Sequence, residues 1–365
     1  MESEPISHAK ALCQEDKKVL PTLQFEDLPN EVVDQMFSYL KIKDLLRCGQ
    51  VSKRFRAISS DESVWPKKFN LCYKKVPVGF LQKLLESGCK YLSLSGAISK
   101  GTLNLPRASR LLYLNLSGFP IIENSEKLLK SCYSLQKLSL SYLHFPSKLI
   151  SIASLQNGKT LRVLDLSNCI LCICISRNTK DWSCTQTHCA YPTSIQQIVE
   201  NCTELKELSL HKTKLCKRSV DFLCFNLTSK IEKLDLYDMT FLRDEHVKKI
   251  VTRCNKITEL DLGGWSTSIT VQSLSLIIEH LQLTLVKLNL KHSFIYFDSS
   301  YFLKLKSMEK LTHLCYENNN VVRLPIAPNT DKPIIARPCN LEYYQGCWEI
   351  KVEREELFRN IHDEV

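Results

Sequence analysis

The chain has 365 residues, of which 44% are hydrophobic and 24% charged, and only 10 are glycine. These proportions are typical of a folded globular protein and exclude both a collagen and a wholly disordered chain. The longest apolar run, Cys169 to Ile175, has seven residues, whereas a membrane-spanning helix needs about 20, so we expect no membrane partner. The net charge of +10 would suit a nucleic-acid partner if the basic side chains were gathered on a binding surface.

Residues 1–24 are polar and predict a disordered N-terminal tail. Their first ten, MESEPISHAK, have neither the basic nor the apolar region of a signal peptide. In a chain without an export signal, we expect the 17 cysteines to be reduced and mostly buried as small apolar groups.

Residues 25–70 predict a small helical module. Pro29 stands where a helix can begin, and apolar residues then recur at helical spacing. The three predicted helices carry Val33, Met36, Phe37 and Leu40, then Asp44, Leu45 and Leu46, then Val51, Phe55 and Ile58, before Trp65. So few apolar residues make a marginal core, and the module should be completed by the repeats that follow or by a partner. Phe37 and Leu40 are expected to lie partly exposed until a partner covers them.

One pattern, L-x-x-L-x-L, recurs through residues 71–320. Its copies begin at Cys89, Leu111, Leu135, Leu161, Leu205, Ile231, Ile257, Leu285 and Leu311. The spacings are 22, 24, 26, 44, 26, 26, 28 and 26 residues. All but one lie within the period of about 20–29 residues of leucine-rich repeats, and the spacing of 44 indicates an insertion at residues 171–193.

The segments between these copies predict helices, because apolar residues recur there at i, i+3, i+4 and i+7. The predicted fold class is therefore α/β. An N-terminal helical module precedes a horseshoe of about nine repeats, with parallel strands on the concave face and helices on the convex face.

The middle position of each pattern is expected to point into the concavity, because side chains alternate along a strand. These positions form a ladder of mostly small polar residues: Ser93, Asn115, Ser139, Asp165, Ser209, Asp235, Asp261, Asn289 and Cys315. The ladder is either a solvated strand face or a wall that binds peptide, and both interpretations stay open.

The concave positions have the wrong charge for nucleic acid. Three positions per repeat carry four lysines and six acids, and four minus six is −2, whereas a phosphate-binding groove is positive. The basic excess lies instead at residues 41–75, which contain ten Lys and Arg residues but only three acidic residues. That segment is either a solvated face or a surface that steers acidic partners.

The insertion raises the question of zinc, because Cys and His at close spacing are its usual ligands. The candidates are Cys169, Cys172, Cys174, Cys184, His188 and Cys189. However, Cys169 occupies the buried position of a repeat, and the remaining spacings fit no standard ligand set. We therefore expect no metal and no other cofactor. The chain also lacks the phosphate-binding, nucleophile-elbow and H-E-x-x-H motifs of enzymes, so we expect a non-catalytic protein.

The C-terminal tail, residues 321–365, is rich in proline, which opposes helix formation. Two alternatives stay open. The tail is disordered, or it crosses toward the concave face and caps the last repeat. In the second case Ile335 and Trp348 would be apolar contacts, and Arg337 would lie near Asp235 and Asp261.

The segment at residues 28–65, LPNEVVDQMFSYLKIKDLLRCGQVSKRFRAISSDESVW, resembles an F-box. The L-P-x-E start, the Phe37 and Leu40 pair, Leu45-Leu46, V-S-K-R-F and the closing D-E-S-x-W carry the resemblance. An F-box followed by leucine-rich repeats is similar to the F-box/leucine-rich-repeat family. The tail segments I-A-R-P at 335–338 and W-E-I-K at 348–351 resemble the S-phase kinase-associated branch of that family.

This resemblance implies partners and a role. An F-box docks onto a Skp-type adaptor, which joins it to a cullin/RING ligase core. The chain would then be a substrate receptor that promotes ubiquitination and proteasomal degradation, with cell-cycle regulators as candidate substrates, in the nucleus and cytoplasm. The resemblance assigns adaptor binding to Leu28, Pro29, Glu31, Val33, Phe37, Leu40, Leu45, Leu46, Val51, Phe55 and Trp65.

In the same branch, the residues that bind the substrate lie just after the strands of the later repeats. The corresponding substrate-binding positions here are Tyr237, Asp238, Trp265, His292 and Asn318. Trp265 keeps an aromatic residue, while the basic and acidic side chains of the branch are replaced. Whether the substrate is phosphorylated and whether a Cks-type accessory protein takes part therefore stay open.

The competing class is a leucine-rich-repeat binding module outside ubiquitin transfer, and a third class is a nucleic-acid binder. Copurification with adaptor and cullin separates the ligase receptor from the other two. Salt-sensitive retention of nucleic acid would favour the third class.

Overall fold

The computed structural model describes residues 25–315, apart from 41, 60, 62–63, 65–67, 87, 100, 102–109, 120–121, 145, 172–192, 266, 294 and 296–298. The predicted N-terminal tail, most of the insertion and the predicted C-terminal tail lie outside the described residues. The chain divides into two compact units, Met1–Trp65 and Pro66–Val365. Among the helices of the described part, none has both the length and the apolar character needed to cross a bilayer.

The first unit contains the three predicted helices. After a 3-10 turn at Phe25–Asp27, the helices are α1 (Asn30–Ser38), α2 (Ile42–Val51) and α3 (Lys53–Ser59). Val33, Phe37, Leu45 and Ile58 are buried, and the rings of Phe37 and Phe55 meet edge to face with centroids 5.5 Å apart. These side chains hold α1 against α3 through apolar burial.

Arg54 fixes the start of α1 to α3. Its guanidinium donates to the carbonyl oxygen of Leu28 and, through Nε, to Oδ1 of Asn30 at 2.9 Å. The L-P-x-E start of the motif is therefore held in place by a charged side chain 24 to 26 residues later.

The second unit is built on one parallel sheet whose ten strands follow chain order. The strands are β1 (Lys68–Asn70), β2 (Tyr91–Ser93), β3 (Tyr113–Asn115), β4 (Lys137–Ser139), β5 (Val163–Asp165), β6 (Glu207–Ser209), β7 (Lys233–Asp235), β8 (Glu259–Asp261), β9 (Lys287–Asn289) and β10 (His313–Cys315). β2 to β10 are the nine predicted copies. β1 adds a strand that the pattern does not predict, because a copy would begin at Pro66, three positions before Phe69, and neither residue is a leucine.

In the described residues a helix lies in every connection between successive strands except the one between β2 and β3, as expected for the predicted α/β horseshoe. They are α4 (Val78–Glu86), α5 (Ile122–Ser131), α6 (Ser147–Asn157), α7 (Thr193–Asn201), α8 (Lys217–Asn226), α9 (Asp244–Arg253), α10 (Val271–Leu281) and α11 (Ser299–Lys306). The leucines of the pattern form the core, and Leu92, Leu114, Leu140, Leu166 and Leu262 are each at most 3% exposed. Because each strand pairs in register with the next, equivalent residues line up across the sheet.

The turn that leaves each strand repeats one backbone feature. The third residue after the strand has a positive φ in nine successive turns: Tyr73, Gly96, Gly118, Tyr142, Asn168, Lys212, Asp238, Gly264 and His292. Residues with a side chain seldom adopt this conformation. The repeated turn therefore places Lys212, Asp238 and His292 at equivalent points of successive repeats.

Candidate functional site

The first unit exposes an apolar stripe on α1. Val32 is 40% exposed, Met36 44% and Tyr39, which follows the helix, 82%. They lie at i, i+4 and i+7, which is one face of a helix, and Pro29 is also exposed one turn earlier. We call Val32, Met36 and Tyr39 the α1 stripe.

The adaptor residues implied by the resemblance are divided between core and surface. Phe37 is only 3% exposed, so the expectation that it lies partly exposed is wrong, because its ring packs on Phe55. Val33 and Leu45 are also buried, Leu28, Leu40 and Phe55 are half-buried, and Pro29, Glu31 and Val51 are exposed. The side chain of Leu46 and all of Trp65 lie outside the described residues. The signal that could have found the α1 stripe was in the sequence, since its spacing is helical.

On the second unit, the polar ladder is buried rather than solvated. Asn115 is 1% exposed, Asp165 2%, and Asp261 5%. At two rungs the serine two positions later folds back over the side chain: Ser117 Oγ donates to Asn115 Oδ1 at 2.6 Å, and Ser167 Oγ donates to Asp165 Oδ1 at 2.6 Å. Neighbouring rungs are also joined, because Ser139 Oγ donates to Asp165 Oδ2 at 2.7 Å. The ladder therefore binds the repeats to one another.

A second row on the concave face carries alternating charges. Lys233 Nζ lies 3.3 Å from Glu207 Oε1 and 3.8 Å from Glu259 Oε1, and Lys287 Nζ lies 3.3 Å from Glu259 Oε1. These cross-strand pairs balance two lysines against two glutamates over β6 to β9.

In two later repeats His211 and Tyr237 stand where earlier repeats have the covering serines, and Trp265 and His292 from the next two turns complete an aromatic cluster. The ring of His211 stacks on Tyr237 with centroids 4.6 Å apart and planes at 11°. The ring of His292 stacks on Trp265 at 4.7 Å and meets Tyr237 edge to face at 6.4 Å. Trp265 is 60% exposed. We call His211, Tyr237, Trp265 and His292 the aromatic cluster.

The structure thus brings together three of the five predicted substrate residues, Tyr237, Trp265 and His292. Asp238 is half-buried in the same turn, where the backbone of Gly264 packs against it so closely that a Cβ there would lie 2.4 Å from its nitrogen. Asn318 lies outside the described residues. Prediction missed His211, although its position, two residues after the strand, is held by serine in the four preceding repeats.

Two carboxylates lie beneath this cluster. Asp235 and Asp261 are register partners on β7 and β8, and His211 Nδ1 lies 3.5 Å from Asp235 Oδ1. Burial and the neighbouring charge of Asp235 raise the pKa of Asp261 to about 7. Burial opposes the charge of His211, but the hydrogen bond and charge of Asp235, with the charge of Asp261, outweigh it and raise the pKa of His211.

An open depression lies over these strands. The residues that line it are the apolar Val163, Leu164, Leu208, Leu234 and Leu260, the polar Ser209 and Asn289, and the charged Glu207, Lys233, Asp235, Glu259, Asp261 and Lys287.

His211, Asp235 and Asp261 are also the set of described residues whose donor atoms could converge on a cation, since those atoms lie within 4.8 Å of one another. Of the cysteine set considered for zinc, Cys169 is described and fully buried. Its thiol donates to the carbonyl oxygen of Leu140 at 3.1 Å, and burial raises its pKa to about 12, which disfavours the thiolate that zinc requires. The remaining members lie outside the described residues.

Comparison with known proteins places an F-box-like family model on residues 25–70, the range predicted for the helical module. Among solved structures, the Rad7–Elc1 complex of yeast is similar at 15% identity and a TM-score of 0.41, over 79% of this chain and 81% of that chain. Actin-binding site 2 of leiomodin-1 matches at 18% identity and a TM-score of 0.28, over 34% of this chain and 78% of that chain. A leucine-rich-repeat protein of Leptospira interrogans matches at 15% identity and a TM-score of 0.32, over 68% of this chain and 62% of that chain. The fold assignment rests on the repeats and sheet described above.

Proposed function

We propose that this chain is the non-catalytic substrate receptor of a Skp–cullin–F-box ubiquitin ligase. The observation that carries the proposal is an F-box-like unit with an exposed apolar stripe, present in the same chain as a repeat unit with an open concave face. The first unit would hold a Skp-type adaptor, and the second would hold a protein substrate.

The α1 stripe supports adaptor binding. Contiguous apolar side chains on a surface mark sites of protein contact, and an amphipathic helix commonly lies in a groove of its partner. Full burial of a large, fully exposed apolar side chain contributes about 1.5–3 kcal/mol. Tyr39 is 82% exposed and has most of that gain still to make, whereas Val32 and Met36, at 40% and 44%, have less than half of it.

In this role the chain itself carries out no bond-making step. It would hold the substrate near the ubiquitin-conjugating enzyme that the cullin/RING core recruits, and proximity would raise the transfer rate. Several finer points rest on the resemblance alone and belong to the same proposal: proteasomal degradation of the substrate, cell-cycle regulators as substrates, a Cks-type accessory protein, the S-phase kinase-associated branch, and action in the nucleus and cytoplasm.

Capture of a purified Skp-type adaptor and of cullin by the full chain tests the proposal. We expect the double variant Met36→Ser, Tyr39→Ser to lose adaptor capture while its circular dichroism stays unchanged. A matched control is Leu155→Ser with Leu283→Ser, since these leucines are 68% and 59% exposed in the repeat unit. The control should capture adaptor as the wild type does.

Undiminished capture by the stripe variant would contradict the adaptor assignment. A second comparison identifies proteins bound to the full chain and to a chain lacking residues 25–66, with the proteasome blocked. Equal sets of bound proteins, without adaptor or cullin in either, would favour a binding module outside ubiquitin transfer.

A further inference from the structure

We infer that the convex helices of the repeat unit bind an acidic segment of a partner protein, with an apolar or aromatic side chain of that segment on Phe225. The binding surface, which we call the α9 patch, consists of Phe225 on α8 and of Lys248, Lys249, Arg253 and Lys256 in and just after the second half of α9. This inference goes beyond the proposed function and does not depend on it, because the α9 patch lies on the helices rather than on the concave strands.

The first argument is charge. Four cations lie within residues 248–256, and this range contains no acidic residue. The two acids of α9, Asp244 and Glu245, both lie in its first turn, and the end of α8, residues 222–226, contains no acid. On the other side, the helical residues of α10 include one acid, Glu279. The α9 patch therefore has a net positive charge.

The second argument is that these cations differ from the lysines that precede the neighbouring strands. Lys206 Nζ lies 2.6 Å from Glu232 Oε1, and Lys230 Nζ lies 2.5 Å from Glu204 Oε1. By contrast, none of the four cations of the α9 patch forms an ion pair in the part of the chain that the structure describes, and all four are exposed. An acidic ligand would therefore displace no internal ion pair when it bound.

The third argument is that an exposed ring positions two of these cations. Lys249 Nζ lies 5.6 Å from the centroid of the Phe225 ring, and Arg253 Nη1 donates to the carbonyl oxygen of Phe225 at 3.1 Å. Lys249 and Arg253 are one turn apart, so they share a face of α9. The ring packs edge to face on His246 with centroids 6.1 Å apart, yet it remains 40% exposed. An aromatic ring is therefore held beside two cations at the surface.

These side chains define the chemistry of the ligand. Carboxylates of aspartate and glutamate complement the four cations, and a side chain between those carboxylates could bury the exposed ring of Phe225. A small inorganic anion would leave this ring uncovered. A nucleic acid fits less well, because proteins that bind it commonly neutralise about 6–10 phosphates, which is more than four cations can do.

Peptide binding by the full chain tests the inference. The probes are three libraries of fluorescent twelve-residue peptides with random flanks: glutamates around a central phenylalanine, glutamines around a central phenylalanine, and glutamates around a central serine. A fluorescent DNA duplex of twelve base pairs is the fourth probe. We expect the library with glutamate and phenylalanine to bind best, measured by fluorescence polarisation, and its strongest members to be selected for Kd measurements.

Charge reversal separates the α9 patch from the net charge of the chain. The double variant Lys249→Glu, Arg253→Glu should weaken the selected peptides by on the order of tenfold or more. The matched control is Lys83→Glu with Lys130→Glu, which changes the net charge equally at exposed positions of α4 and α5. The control should bind as the wild type does, and circular dichroism should show that both double variants are folded.

A variant without a charge change tests the ring. Phe225→Ser should weaken a selected peptide, and it should have a smaller effect on the form of that peptide in which serine replaces the central phenylalanine. Because Phe225 also packs on His246, urea denaturation should confirm that the variant is folded under the binding conditions. An equal loss for the two peptides would show that the ring does not contact the ligand and would overturn the inference.

Several other results would also overturn it: no preference for glutamate over glutamine, equal weakening by the two charge-reversed variants, or no binding by any library. A DNA duplex that binds more tightly than the peptides and is released by Lys249→Glu with Arg253→Glu would assign the patch to nucleic acid instead. Peptide binding seen only after removal of residues 353–365 would assign it to the chain's own acidic end. Adaptor capture, measured on the same preparations, reports on the proposed function separately.

Discussion

His246 and Asp221 join two successive repeats through a hydrogen bond. His246 Nδ1 accepts from the backbone nitrogen of Arg243 at 3.0 Å, so the ring proton lies on Nε2, which donates to Asp221 Oδ1 at 2.9 Å. The imidazole is 0% exposed. The ring of His246 therefore accepts the hydrogen bond of the backbone nitrogen at the start of α9 and, through Asp221, also holds this end of α9 to α8.

Replacement of this ring should destabilise the repeat unit. In His246→Leu the amide of Arg243 loses its acceptor and Asp221, which is 38% exposed, loses its donor. A fully buried polar group left without a partner costs about 1–3 kcal/mol, so these partly buried groups should cost about 1 kcal/mol. Urea denaturation should show that loss in the free energy of unfolding. Lys248→Ala, at an exposed position of the same helix, is the control, and equal stability of the two variants would contradict this account.

Asp244 should make the repeat unit sensitive to acid. Burial opposes its charge, but hydrogen bonds from Ser273 Oγ and from the nitrogen and Oγ1 of Thr270 outweigh burial and lower the pKa of Asp244 from 3.8. A carboxylate with a lowered folded pKa adds stability that is fully present above its unfolded pKa and is lost as pH falls through the folded pKa.

The stability difference between the wild type and Asp244→Asn should therefore be greatest above about pH 5 and shrink as pH falls below the unfolded value. Urea denaturation from pH 7 to pH 3 measures it, with Glu245→Gln, at the adjacent exposed position, as the control. If the stability difference between the wild type and Asp244→Asn grew toward low pH, the pKa of Asp244 would be raised by folding rather than lowered, and the prediction would be wrong.

The buried thiols should be chemically inert in the folded chain. Burial raises the pKa of Cys202 to about 12 and that of Cys254 to about 11, so the reactive thiolate is scarce at neutral pH. Iodoacetamide followed by mass spectrometry should label the half-buried Cys48, Cys72 and Cys315 before them. Labelling of Cys202 and Cys254 at equal rates with these would contradict the prediction.

The thiols should also serve as core packing only. Reducing agent should leave the melting temperature unchanged, because the described cysteines are free thiols. Purified protein should carry no stoichiometric zinc by elemental analysis. One zinc per chain would show that the insertion is a metal site after all.

The leucine pattern predicted the repeats well, because burial of one strand face imposes a spacing that survives in a single sequence. Leu208, Leu234 and Leu260 lie in register as that spacing requires. Period-two alternation correctly placed the rungs of the ladder on the concave face. It could not predict that Ser167 would cover Asp165, because that depends on a side chain two residues later.

The site was predicted only in part for the same reason. Tyr237, Trp265 and His292 belong to three different repeats, and their approach depends on register and on the left-handed turns after the strands. The error at Phe37 has a different origin. Helical spacing shows that residues share a face, but both faces of α1 carry apolar residues, and which one meets Phe55 depends on tertiary packing.

The turn at Gly264 should be the one that least tolerates a side chain. Its φ is +110°, and an added Cβ would lie 2.4 Å from the nitrogen and Cα of Asp238. Gly118 occupies the equivalent turn with a φ of +60° and has no atom within 4 Å of such a Cβ. Gly118→Ala should therefore cost about 1–2 kcal/mol for the left-handed backbone alone, while Gly264→Ala adds a clash and should cost more. Urea denaturation of both variants measures the difference. The intrinsic tryptophan fluorescence, to which Trp265 contributes as one of four tryptophans, should change in Gly264→Ala alone, because the turn beside Trp265 must move. Equal costs with unchanged fluorescence would show that Asp238 and its turn yield freely, and that the aromatic cluster is not held by this contact.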